Sequence, residues 1–180
     1  LSINEIFCAS NVNDVLTRFI STGKLEPKET IPSVAPSMDI QIPSSLERLI
    51  YNFEGDASSF YDQLQNEKIA KLSEESVVKL QNIFSSLSFN DEMILKEIDL
   101  FYKNYGWVID PHTATALSSS VSFSSTLPVV GVATASPEKF SDVISKTIDE
   151  FRVESTKNEE KYFVEKANSS LVENTIKECL

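Results

Sequence analysis

Residues 127–134, LPVVGVAT, are a near-continuous apolar run closed by a threonine. A strand with one wet face alternates apolar and polar residues; a run apolar on both faces suits a parallel strand buried between layers of helices. Ser136 and Pro137 then supply a capping residue and a first-turn proline, and Phe140, Val143, Ile144, Ile148 and Phe151 recur at helical spacing as one inward stripe. Strand, sharp turn and helix in this order predict an α/β chain built on parallel strands with flanking helices. Ligands of such sheets bind outside the carboxyl ends of the strands, which is where Thr134 stands. Its hydroxyl donates and accepts, so it suits a ring nitrogen or a phosphate oxygen, and equally a backbone group at the strand end.

The rest of the chain fits the same class. Residues 5–10, EIFCAS, read as a short buried strand, and Asn11 to Asp14 as polar caps for a helix through DVLTRFISTG that stops at Gly23. Residues 24–43 hold four prolines and read as an ordered functional loop with a strand-like ending, SMDIQI. Leu46, Leu49, Ile50 and Phe53 form a helical stripe, and residues 56–85 read as two further helices, with Ser73 as a cap and Val77, Leu80 and Phe84 in period. NDEMILKEIDLFYKNYG is an amphipathic helix with an acidic first turn and Gly106 as its stop. In DPHTATAL, Asp110 can cap and Pro111 fits the first turn. From residue 153 the chain turns polar, with a short terminal helix expected in SSLVENTIKECL.

Charge narrows the partners. A net charge of −11 disfavours non-specific binding to nucleic acid or an anionic membrane, and no apolar run is long enough to span a bilayer. A small anionic ligand in a local pocket is compatible with it. Cys8 and Cys179 lack metal or redox spacing and read as free thiols. The opening LSINEIFCAS has neither a basic leader nor an initiator Met, so the chain reads as beginning inside a longer, cytoplasmic protein. With 4 glycines there is no glycine-rich phosphate loop, and the single histidine, His112, has no nearby partner for a metal site.

Few side chains stand out as chemistry. His112 is either a helix-start residue bonded to backbone or a pocket residue facing an anion. Asp39 is either a carboxylate that fixes its loop or a site residue. Arg48 reads as a solvated or ion-paired side chain rather than an anion clamp.

Four stretches taken together resemble one family. ASNVNDVLTRFISTGKLEPKET, APSMDIQIPSSLERL, DPHTATAL and VATASPEKF stand in the order and at roughly the intervals of threonine synthase, over about residues 5–152. The resemblance implies a C-terminal portion of a pyridoxal-phosphate lyase of the tryptophan-synthase-β-like fold (fold type II). It implies residues 1–152 as part of the large cofactor-binding domain, a helical insertion at about 54–106, and 153–180 as an extension. The implied reaction is O-phosphohomoserine and water to threonine and phosphate. The family's cofactor-holding lysine and its Gly/Asn-rich phosphate loop precede the matched region, so this chain alone is expected to be inactive and none of its lysines is assigned. Thr134 matches the threonine that meets the cofactor's ring nitrogen; Asn13, Asp39 and His112 match positions near the pocket. Departures occur at Ser136, Glu138 and Ser45, where the family usually has His, Ala and Asn. They leave open a related phospholyase, or a truncated non-catalytic binding protein.

Overall fold

In the computed structural model, which describes residues 3–119 and 128–152, strand β1 (Ile6–Ser10) pairs in parallel with β4 (Phe84–Ser88), Ile6 opposite Phe84 and Ser10 opposite Ser88. Between them run helix α1 (Val15–Thr22), the two-residue strand β2 (Lys24–Leu25), helices α2 (Leu46–Glu54) and α3 (Ser58–Glu67), strand β3 (Ala70–Lys71) and helix α4 (Glu74–Gln81). β2 and β3 form a minimal antiparallel pair. After β4 come the long helix α5 (Asp91–Tyr105), α6 (Pro111–Ser118), a 3-10 turn at Pro137–Phe140 and the short α7 (Ser141–Ile144).

The parallel pair separates two apolar clusters. Side chains of a strand point alternately to its two faces, so Cys8 packs with α1, α2, α3 and α4 around Phe19, Ile50, Phe60 and Leu80, while Phe7 and Ala9 pack with α5, α6 and α7 around Ile94, Ile98, Ala114 and Ile144. Burying one such side chain is worth about 1.5–3 kcal/mol, which is what holds helices as short as α1 and α4 in place. Termini follow the expected chemistry. Ser73 accepts the Ser76 amide and Asn90 the Met93 amide, and α1, α2 and α5 end on left-handed glycines at 23, 55 and 106.

Four expectations are corrected. Residues 128–134, read as a strand buried on both faces, hold no regular structure, and Val130 is 83% exposed. A strand exists only through its ladder, and no described strand lies beside this run to pair with it. Phe84 does not continue a helix: α4 stops at Gln81, and Phe84 opens β4, so the stretch 54–106 contains strand as well as helix. SMDIQI is not strand-like, because Pro36–Met38 is a 3-10 turn and the Ile40 amide closes on the Met38 carbonyl at 2.8 Å. The last helix is short, although Phe140, Ile144, Ile148 and Phe151 still reach the second cluster as the stripe requires.

No helix among the described residues is long and apolar enough to cross a membrane. Cys8 is half-buried, and that burial pushes its thiol pKa up. Cys179 and the terminal helix expected near it lie outside the described residues.

Candidate functional site

The proline-rich loop is fixed by one carboxylate. Asp39 Oδ1 accepts Asn11 Nδ2 at 2.7 Å, Asn13 Nδ2 at 3.0 Å and Ser33 Oγ at 2.7 Å, while Oδ2 accepts the Ser33 amide at 3.0 Å. Asn11 and Asn13 follow β1 directly and are buried, so their amides must be satisfied by protein groups. Asn13 does this as a backbone mimic: its Oδ1 accepts the Ile31 amide at 2.8 Å and its Nδ2 donates to the Ile31 carbonyl at 2.8 Å. Asn11 Oδ1 accepts the Asn13 amide at 2.9 Å, closing the turn between β1 and α1. Asn11 to Asp14 were expected to cap α1. Asn11 and Asn13 turn to the loop instead, and Asp14 pairs with Arg18 at 2.8 Å without capping. Farther along the loop, Asp91 at the start of α5 accepts the Val34 amide at 3.2 Å.

α6 supplies the second anchor. Asp110, 1% exposed, caps it by accepting the His112 amide at 2.9 Å and the hydroxyl of Thr113. Burial pushes this carboxyl's pKa up, but the hydrogen bonds from the His112 ring, from Thr113 and from the His112 amide outweigh it and hold it below the ordinary aspartate value. His112 Nδ1 lies 2.9 Å from Asp110, and its Nε2 accepts the Ser37 amide at 3.1 Å. Ser37 sits in the 3-10 turn just before Asp39, so the loop is held from both sides. The Phe140 ring packs against the imidazole at a centroid distance of 4.7 Å.

Asn13 and Asp39 are therefore in direct contact, His112 reaches the same loop two residues before Asp39, and Thr134 stands apart from this network. Thr134 is exposed at the end of the irregular 128–134 run and makes no hydrogen bond among the described residues. Ser136 heads the 3-10 turn without a side-chain capping bond, contrary to expectation. Arg48 is exposed and lines a surface depression of about 440 Å³ with Glu47, Tyr51, Asn52, Asp56 and Ser58; none of the four candidates lines it. Among the described residues no group of three or more His, Cys, Asp and Glu is placed to hold a metal ion.

Sequence reasoning missed Asn11 and gave Asp110 only a capping role. The available signal was the pair of asparagines closing an apolar strand, a place where buried amides need designated partners.

No family model matches the chain. Threonine synthase of Pseudomonas aeruginosa is 32% identical over 152 residues, covering 81% of this chain and 32% of that protein. Human threonine synthase-like 1 is 30% identical over 177 residues, covering 94% of this chain and 24% of that protein. Among solved structures, the pyridoxal-phosphate-bound threonine synthase of Brucella melitensis superposes with a TM-score of 0.75 at 30% identity, over 81% of this chain and 32% of its own. The yeast threonine synthase, at 22% identity, shares the fold over 99% of this chain and 42% of its own, with a TM-score of 0.76.

The parallel strands and flanking helices are thus those of the C-terminal part of a fold-type-II enzyme. This chain spans about a quarter to a third of the length of the curated relatives it matches first. It belongs to the threonine synthase family and corresponds to that family's C-terminal portion.

Proposed function

We propose that this chain is part of a pyridoxal-phosphate-dependent threonine synthase that converts O-phosphohomoserine and water to threonine and phosphate in the cytoplasm. The observation that carries the reading is the VATASPEKF frame, whose Thr134 presents an exposed hydroxyl, unengaged among the described residues, at the end of an apolar run. Identity to threonine synthases and the shared fold support it.

Among the described residues, Thr134 is the point at which this chain fits the cofactor. Thr134 Oγ1 would donate to the pyridine nitrogen, and a hydroxyl there, unlike a carboxylate, would leave that nitrogen unprotonated and moderate the electron sink that pyridoxal phosphate supplies when bound. Asn13, Asp39 and His112 act behind the pocket, holding the loop of residues 31–41 in one conformation. Residues 1–152 form part of the large cofactor-binding domain, with the insertion at about 54–106 and residues 153–180 as an extension. The valines at 129, 130 and 132 are exposed in this chain, and in the intact enzyme the run would gain its neighbours and become a buried strand. The covalent lysine and the phosphate-holding loop belong to that remainder too, so the 180-residue chain alone is inactive. Adding pyridoxal phosphate to it and reducing with borohydride should leave no stable adduct; a stoichiometric adduct at one lysine would overturn this assignment.

A second reading has its own support. Ser136, Glu138 and Ser45 depart from the usual threonine synthase residues, and a threonine synthase-like protein stands among the relatives at 30% identity. Such a paralogue would release phosphate from a related phosphorylated substrate. Product analysis on the intact polypeptide separates the two, with threonine marking the first and 2-oxobutyrate the second.

A further inference from the structure

His112 is the one histidine of the chain; its side chain is buried, and both of its ring nitrogens are engaged. The group opposite Nε2 is the Ser37 amide, which can only donate, so Nε2 must present a bare lone pair. The group opposite Nδ1 is the Asp110 carboxylate, which already accepts the His112 amide and the Thr113 hydroxyl. An acceptor so placed requires a proton on Nδ1. One protonation state satisfies both contacts: neutral imidazole with its hydrogen on Nδ1. A hydrogen on Nε2 would set two donors face to face.

The same ring joins two parts of the chain that the sequence leaves far apart. One ring nitrogen holds the 3-10 turn that leads into Asp39, and the ring packs at a tilt of 57° against Phe140 at the end of the turn that follows Thr134. We propose that Asp110 and His112 are a positioning pair: Asp110 sets the tautomer, the Nε2 lone pair tethers the loop of residues 33–39 to α6, and the ring seats the segment that carries Thr134. The tether follows from the geometry alone; its value for holding a cofactor rests on the function proposed above.

The test uses the 180-residue chain labelled with ¹⁵N and needs neither cofactor nor substrate, so its failure is separate from failure of the functional reading. A single histidine gives one pair of ring nitrogen signals. Near neutral pH they should show Nδ1 protonated and Nε2 bare, and an Nε2-protonated or rapidly averaging ring would overturn the proposal in the unmodified chain. Variants supply a second readout in the exchange of the Ser37 amide. His112→Gln keeps an acceptor close to the Nε2 position and should leave exchange within about threefold, whereas His112→Asn does not reach Ser37 and should speed it about tenfold or more. Asp110→Ala takes the acceptor away from Nδ1, so the Nδ1–H tautomer should no longer be held and Ser37 should be released as in His112→Asn. Unchanged Ser37 exchange in both His112→Asn and Asp110→Ala would sink the tether.

Discussion

Asp39 and Asn11 lie 28 residues apart in sequence and meet at 2.7 Å, joining the proline-rich loop to the turn that follows β1. The same carboxylate oxygen also accepts Asn13 and Ser33, so three donors converge on one atom. Hydrogen bonds to a charged group are worth about 1.5–3 kcal/mol each, and a buried partner left unsatisfied costs about 1–3.

Removing Asn11 breaks this centre from the more deeply buried side. Asn11→Ala should lower unfolding free energy by about 2–4 kcal/mol, measured by urea denaturation, and loosen residues 31–41 in hydrogen exchange. Asp39→Asn replaces an acceptor by a donor and should cost about 1–3 kcal/mol while exposing the same loop. A loop equally protected in both variants would show that the contacts are incidental.

Gly23 is constrained twice. Its φ of +69° is left-handed, and a Cβ built there stands 2.2 Å from Val77 Cγ2; Gly106 shares the conformation (φ +71°) but has open space around it. Gly106→Ala should therefore cost about 1–2 kcal/mol for the backbone alone. Gly23→Ala should add about 1–3 kcal/mol of overpacking, and Val77→Ala in the same chain should recover part of that excess. Equal midpoints for the two glycine variants would refute the close approach.

Acid sensitivity follows from Asp110. Its pKa is lower folded than unfolded, so it contributes stability that is present above the unfolded value of about 3.9 and lost as pH falls through the folded value. Asp110→Asn should be less stable than the unaltered chain by about 1–3 kcal/mol at pH 7, and the gap should narrow below about pH 4. The other carboxylates are common to both proteins and cancel in the difference. A gap independent of pH would place the carboxylate's value in shape rather than charge.

What was legible in the sequence were features written in local spacing. The stripe Leu46, Leu49, Ile50, Phe53 is α2, the caps at Ser73 and Asp110 hold, and Gly23 and Gly106 end their helices. What failed depended on partners elsewhere in the chain. Phe84 fits the helical period of α4 but joins β4, because the ladder opposite Ile6 outweighs one more helical turn. The 128–134 run has the composition of a two-sided strand, yet composition cannot supply neighbours. Asp39 and His112 stand out as residues with two readings and Asn13 enters by resemblance; that the three converge on one loop, together with Asn11, rests on long-range contacts that no window of sequence displays.

Thr134 bears the functional account, and activity of the intact polypeptide tests it most directly. Loaded with pyridoxal phosphate and given O-phosphohomoserine, the unaltered protein should form threonine and phosphate in equal amounts. Thr134→Ser, which keeps the hydroxyl, should stay within about threefold, and Thr134→Val should lose about ten- to a hundredfold in turnover, the equivalent of about 1.4–2.7 kcal/mol of barrier. Threonine formation by Thr134→Val at the unaltered rate would contradict the account.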